Sequence, residues 1–256
     1  MPALVFEKRE HSAYILLNRP AQKNTINLEM RQGLREAWKE VDEDGEIFSV
    51  IVSGGDEVFS VGQDLLEFEQ FKKNDPIQDL PLNSLETFGS EVGKPVIAAI
   101  NGHCLGYGFL LTMVGCDLRI ASTSALFGMP EIKVGVPPSI GIPAYVDGHF
   151  PPAAAMEFLL TGDFISAEAA YRYGYVNRIV PPSEVIGEAE RIARTINTYS
   201  PFMVRNIKKM ARFALTPDSG AIAYSQAICL HCRHSPDYLE GPKAFKEKRP
   251  PHWRHR

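Results

Sequence analysis

Cysteine is scarce in this chain: four in 256 residues, at Cys104, Cys116, Cys229 and Cys232. So few thiols over that length do not make a disulfide scaffold, and a reducing, cytoplasmic setting is the expectation. Long apolar runs are missing too. The longest, at 96–100 and 109–114, fall far short of the roughly 20 residues that cross a bilayer. Residues 1–9 hold no apolar stretch of signal-peptide length, so neither a membrane nor an export route is expected. Basic excess is absent as well: 27 Lys and Arg stand against 31 Asp and Glu, for a net charge of −4. That balance argues against a surface built to neutralise nucleic-acid phosphates. Glycine (20) and proline (19) follow no period, which excludes collagen-like and low-complexity chains. No Gly-Lys-Ser/Thr follows a glycine run, so there is no P-loop. The dinucleotide fingerprint fails because Leu111 stands where a third Gly or Ala is required after Gly106 and Gly108.

What is there is apolar material, 45% of the chain, ample for one large core. The opening reads as a hairpin, with β-rich runs at 4–6 and 14–17 around the polar stretch 8–12. A helix follows Asn27 as N-cap, with Met30, Leu34, Ala37, Trp38 and Val41 on one face and Gly45 as its stop. Strands at 48–52, 94–100 and 117–121 alternate with an apolar helix at 109–114, the order of an α/β fold. From Ala153 onward helices dominate. Ser166 caps a short one. Ser183 caps a longer one, whose stripe is Val185, Ile186, Ala189, Ile192, Ala193 and Ile196. Ser200-Pro201 opens another, reaching about Ala214. Residues 1–196 are read as the α/β body and 197–256 as a helical C-terminal region.

Three stretches have chemical potential. Phe59-Ser60-Val61-Gly62-Gln63-Asp64-Leu65 and the segment 101–109, with Gly102, Gly106 and Gly108, each read as a strand, a glycine turn and a helix start. Amides at a helix N-terminus favour a negative oxygen, and two converging on one point make an oxyanion hole; read singly, each glycine is a turn residue. In the third stretch, 127–138, Glu131 stands among apolar residues between Pro130 and Gly135. Burial there raises a carboxyl pKa and suits it to proton transfer; the plainer alternative is a surface glutamate paired with Lys133. Asp64 reads as a helix cap. Cys229, His231, Cys232 and His234 have metal-like types, but no second Cys pair lies nearby and no metal site is expected. The tail 250–256 reads as a poorly ordered terminus.

Together these stretches resemble the enoyl-CoA hydratase/isomerase, or crotonase, family. The likeness spans nearly the whole chain. It runs from Asn18-Arg19-Pro20 and residues 23–27 through 59–64, Asn101-Gly102, Cys116-Asp117, 127–135 and 160–163 to Glu240-Gly241 and 244–249. It implies an α/β spiral of β-β-α turns with a helical C-terminal oligomerisation region, assembled as a homotrimer or a dimer of trimers. It also implies an acyl-CoA thioester substrate; coenzyme A is then part of the substrate and no separate cofactor is needed. By motif position, the backbone N–H groups of Gln63 and Tyr107 form the oxyanion hole and Glu131 is the catalytic acid/base. Lys23, Val61, Asp64, Gly106, Phe245 and Lys248 take the substrate- and CoA-binding positions, the last two often serving an adjacent subunit. The chain departs from the pattern at Leu110, where many hydratases carry a first glutamate, and at Ser139, where dienoyl-CoA isomerase relatives carry an acid. A single glutamate is what Δ3,Δ2-enoyl-CoA isomerase members use, so the reading leans to an isomerase. Decarboxylation, hydrolysis, or binding of a CoA ester, RNA or protein without catalysis are the alternatives.

Overall fold

Charge does not stop the first strand. In the computed structural model, which describes residues 2–65, 67, 85–137, 148–215, 220, 223, 227 and 236–252, β1 runs Leu4–Arg9 and pairs antiparallel with β2, Ser12–Leu17. The register from Leu4↔Leu17 to Arg9↔Ser12 carries pairing straight through Glu7 and Lys8, leaving only Glu10 and His11 for the turn. β1 is an edge strand, so its charged half lies in solvent, where charge also discourages unwanted strand pairing.

Helix α1, Leu28–Glu43, starts as read: the Asn27 side chain accepts from the Met30 amide at 3.0 Å. Met30, Leu34, Ala37, Trp38 and Val41 are buried, each large side chain contributing roughly 1.5–3 kcal/mol. Arg31 is buried beside them, which no apolar pattern indicates.

The large sheet has six strands in the order β1-β2-β3-β4-β6-β9, parallel except for the first pair. Its members are β3, Ser49–Ser53; β4, Val96–Ile100; β6, Leu118–Ser122; and β9, Arg178–Val180. All five residues of β4 are buried, as expected for a parallel strand covered on both faces. A second sheet of three strands combines β5, His103–Leu105, parallel to β7, Leu126–Gly128, with β8, Ile165–Ser166, antiparallel to β7. Of these three, β7 and β8 were not read from the sequence, because two or three residues are too few to show a period. All three define the spiral: β4 lies in the large sheet, β5 in the small one, and helix α2, Tyr107–Val114, follows. Then β6 returns to the large sheet, β7 to the small one, and a 3-10 turn, Pro130–Val134, closes the step.

Further helices complete the molecule. α3, Pro152–Thr161, leads to α4, Ala167–Arg172, whose N-cap Ser166 accepts from Ala169 at 3.2 Å. α5, Val185–Asn197, covers the outer face of the large sheet, its Val185, Ala189 and Ala193 packing on Ile51, Ile97, Ala99 and Ile120. Two details differ from the sequence reading. Ser183 lies in a 3-10 turn, Pro182–Glu184, and Glu184 precedes the helix without a side-chain cap; Ile186 points to solvent rather than joining the stripe. α6, Pro201–Leu215, is held by Asp117, which accepts from Lys208 Nζ at 2.7 Å and Arg212 Nε at 3.0 Å. The opposite side of α6 leaves Phe202, Met203, Ile207 and Met210 exposed. α7, Pro236–Glu247, lies against the 3-10 turn so closely that a Cβ on Gly241 would overlap the Val134 carbonyl oxygen. Among the described residues, no helix is long and apolar enough to cross a membrane. Ser139, the Cys229–His234 cluster and Trp253 lie outside the described residues.

Candidate active site

Residues 60–63 are threaded between two segments. On one side the Ser60 amide donates to His103 O at 3.0 Å and Leu105 N to Ser60 O at 2.8 Å; on the other, Ile26 N donates to Gly62 O at 2.8 Å and Asp64 N to Ile26 O at 3.2 Å. In such a parallel bridge the groups flanking Gln63 take the bonds to Ile26. The N–H of Gln63 itself therefore faces the other side, where β5 leads into α2. Gly62, at φ 99°, lies there against the next turn, and a Cβ on it would stand 3.3 Å from Tyr107 N. Tyr107 is the first residue of α2, so its amide is directed out of the helix N-terminus, where negative charge is favoured. Gln63 and Tyr107 thus bring two amides to one place.

The loop before α1 is strapped beneath this pair by Asn24. Its Nδ2 donates to Gly54 O at 2.7 Å and Val58 O at 3.0 Å, and its Oδ1 accepts from Arg19 N at 2.8 Å. Its carbonyl accepts from Ser60 Oγ at 2.7 Å, and Lys23 O from Val61 N at 3.1 Å.

Glu131 enters from the 3-10 turn. The turn ends on Gly135 in the left-handed region, and Val136 N donates back to Glu131 O at 3.1 Å. The residue as a whole is partly exposed, yet its Oε2 is sealed from solvent and has no hydrogen-bond partner. Burial of this carboxyl pushes its pKa up to about 7, against a smaller opposing effect of its own backbone amide. The surface alternative fails: Lys133 pairs with Asp163 at 2.9 Å instead. The other carboxylate oxygen, Oε1, stands over Gly106, where a Cβ would come within 2.8 Å of it. Gly106 has φ 51° and ψ −120°, outside the range of side-chain-bearing residues, and so lets the carboxylate sit beside the Tyr107 peptide.

These groups open onto a cavity of about 590 Å³, a size suited to a small-molecule site. Val61, Gln63, Asp64, Gly106, Tyr107, Glu131 and Phe245 all line it. Phe245 does so within its own chain, brought over the cavity by α7. Lys23 and Lys248 stand outside the lining. Asp64 lines the cavity with a committed carboxylate: it accepts from Arg19 at 2.9 Å, Thr25 Oγ1 at 3.2 Å and, as a helix cap, Glu67 N at 3.3 Å. Burial opposes its ionisation, but these donors outweigh it and hold the carboxyl below the usual range. Leu110 does not reach the cavity lining; it is fully buried in the main core.

Thr25, Val136 and Tyr238 also line the cavity, and the sequence reading missed them. No local signal marks Tyr238, since only the docking of α7 brings it there. A shallower groove of about 410 Å³ around Tyr171, Arg178 and Glu188 contains none of the residues read from the sequence. Among the described residues, no three His, Cys, Asp or Glu side chains form a metal-binding group.

A family model described as enoyl-CoA hydratase/isomerase matches residues 7–256. The chain belongs to the enoyl-CoA hydratase/isomerase family. One relative, the (E)-benzylidenesuccinyl-CoA hydratase of Thauera aromatica, is 35% identical over 98% of both chains. Among solved structures, EchA1_1 from Mycobacterium paratuberculosis superposes with a TM-score of 0.87 at 32% identity, covering 100% of each chain. The carnitinyl-CoA hydratase of Mycobacterium avium does so at 0.85 and 30%, also over 100% of each. The spiral of β-β-α turns is therefore the crotonase fold, and the chain is an enzyme of the enoyl-CoA hydratase/isomerase type.

Proposed function

We propose that Glu131 is the sole acid/base of an enolate-forming reaction on an enoyl-CoA thioester, with isomerisation of a 3-enoyl to a 2-enoyl thioester as the reaction it suits best. The thioester oxygen is held by the N–H groups of Gln63 and Tyr107. Glu131 removes a proton from C2, the electron pair moves into the carbonyl, and the two amides stabilise the resulting dienolate oxygen. The protonated Glu131 then returns the proton at C4 as the double bond shifts to C2–C3. A pKa of about 7 matches both halves of that exchange near neutral pH. Val61, Asp64, Gly106 and Phe245 belong to the pocket for the thioester, and Lys23 and Lys248 to the approach of the CoA phosphates.

The observation that carries this reading is that, of the two carboxylates among the described residues lining the cavity, only that of Glu131 is uncommitted, Asp64 being taken up by Arg19, Thr25 and Glu67. Glu131 Oε2 is sealed and unpartnered at the cavity, while Leu110 is committed to the core. A single carboxylate suffices to move one proton between two carbons. Hydration is the second reading, favoured by the names of the relatives, among them a benzylidenesuccinyl-CoA hydratase and a crotonyl-CoA hydratase. There Glu131 would both take a proton from water, whose oxygen bonds to C3, and deliver a proton to C2.

Purified protein offered 3-enoyl- and 2-enoyl-CoA of equal chain length separates the two. Isomerisation faster than hydration supports the first reading, and the reverse order replaces it with the second. Glu131→Gln should lower either rate by at least about a thousandfold, as loss of a sole proton shuttle does, while CoA-ester binding is kept. Turnover of neither thioester, with thermal stabilisation by CoA, would instead mark a CoA-ester binder. The same reading assigns 197–256 to oligomerisation, with a second copy of the chain covering Phe202, Met203, Ile207 and Met210 on α6.

A further inference from the structure

The apolar face of α1 carries a passenger. Arg31 is only 4% exposed, although its neighbours in the stripe are hydrocarbon and a guanidinium is costly to bury unless its charge is met. It is met in part by an aromatic face: the Arg31 Cζ atom lies 4.5 Å from the ring centroid of Tyr107. That ring is itself 3% exposed, and Phe88 meets it edge-on at 5.6 Å and 73°. Tyr107 is thereby gripped by two elements remote from α2 in sequence, α1 and the 3-10 turn Leu85–Phe88.

The grip falls at a place that needs one. The Tyr107 amide belongs to the peptide that follows Gly106, the residue with the least intrinsic restraint on its backbone. Donors stabilise an oxyanion only when they are held at hydrogen-bond distance from where the negative oxygen forms. The glycine end of that peptide is tied by Leu110 N, which donates to Gly106 O at 2.9 Å, and by the Gly106 N–H, which donates to Gly128 O at 3.0 Å; the Tyr107 ring supplies the tie at the other end. We propose that Arg31 is a positioning residue for the oxyanion hole: by clamping the Tyr107 ring it holds the Gly106–Tyr107 peptide at the angle its N–H needs. The inference rests on the reading of Tyr107 as an oxyanion donor and adds a group that never touches substrate.

The test compares wild type, Arg31→Met, Arg31→Lys, Tyr107→Ala and the double variant Arg31→Met/Tyr107→Ala. Two readouts are taken: steady-state turnover of enoyl-CoA, and the red shift of bound 4-(dimethylamino)cinnamoyl-CoA, whose absorption follows polarisation of its thioester carbonyl. Arg31→Met should lower kcat about tenfold to a hundredfold, less than outright loss of a donor, with KM changed less than about threefold. It should also remove at least about half of the probe's red shift, the spectral counterpart of a misaligned donor. Arg31→Lys should recover part of both, since an ammonium meets the ring face but lacks the planar stack. In the Tyr107→Ala background, Arg31→Met should cost less than about twofold more, because the clamp has nothing left to hold. Equal losses in both backgrounds would overturn the proposal, as would a raised KM with unchanged kcat or a wild-type red shift in the folded Arg31→Met or Arg31→Lys protein. Failure of the underlying reading looks different: wild type itself would then neither turn over the thioesters nor shift the probe.

Discussion

Glu131 makes the protein less stable than it would otherwise be. Its pKa is raised from 4.5 to about 7 by burial, so the folded state holds the proton more tightly than the unfolded chain does. Below pH 4.5 both states are protonated and the residue contributes no pH dependence. Between 4.5 and about 7 the unfolded chain loses its proton first, and stability falls as pH rises. Above that window the penalty levels off at roughly 3 kcal/mol, following from about 1.36 kcal/mol per pKa unit. Glu131→Gln should therefore raise the melting temperature at pH 8 and change it little at pH 4, as read by thermal denaturation at both. A shift of equal size at the two pH values would contradict a buried, proton-hungry carboxyl. In the active protein the same titration should appear as kcat/KM falling about tenfold per unit below pH about 7, since only the ionised group removes a proton. Gly106 belongs to the same scale. Gly106→Ala places a Cβ 2.8 Å from Glu131 Oε1 on a backbone with φ 51°, and should cost more than about a hundredfold in kcat. Gly187→Ala, on α5 with nothing within 4 Å, should leave kcat unchanged and stabilise by up to about 1 kcal/mol, which urea denaturation measures.

Elements were legible in proportion to their length. α1 and its cap at Asn27 follow directly from a sixteen-residue periodic segment. The strands β7 and β8 were invisible because a strand of two or three residues is specified by the partner it meets, not by its own pattern. The glycine stretch 101–109 was read as strand, turn and helix start, and β5, Gly106 and α2 are those three parts; what the pattern did not give was the sheet that β5 joins. α6 shows a second limit. Its attachment depends on Asp117, which takes Lys208 at 2.7 Å, Arg212 at 3.0 Å and the Val96 amide at 2.8 Å, residues scattered over the chain. Lys208 is buried, and burial holds its pKa below the usual lysine value despite the attraction of Asp117. Asp117→Ala leaves that ammonium without its carboxylate and should cost about 3–5 kcal/mol in urea denaturation, the usual effect of breaking a buried pair. A cost below about 1 kcal/mol, typical of a surface ion pair, would show that α6 docks by other contacts.

At the scale of the whole molecule, α6 turns one face to the body and the other to solvent. Met203, Ile207 and Met210 follow the spacing of a single helical stripe, with Phe202 beside it, and all four are largely exposed. A face of that kind on a chain of net charge −4 calls for a cover. The oligomer proposed for residues 197–256 predicts an assembly in light scattering that replacing Met203 and Ile207 with Glu reduces to single chains, with the fold kept by circular dichroism. Unchanged mass would place the covering surface elsewhere. Because α7 lays Phe245 and Tyr238 over the cavity of its own chain, the separated protomer should keep its CoA-ester site. What the sequence determined by itself was the order of the longer strands and helices up to about residue 214, the two glycine turns, and a carboxylate set in a Pro-Glu turn among apolar residues. Those properties are written in short-range spacing, and spacing dictates which face of an element is apolar or which turn can form. Only the tertiary structure decided that Leu110 faces the core, that Arg31 lies against Tyr107 and that Tyr238 closes the cavity. Each of those depends on which remote surface covers a given face, and hydrophobic burial, being non-directional, leaves that choice to the packing of the whole chain.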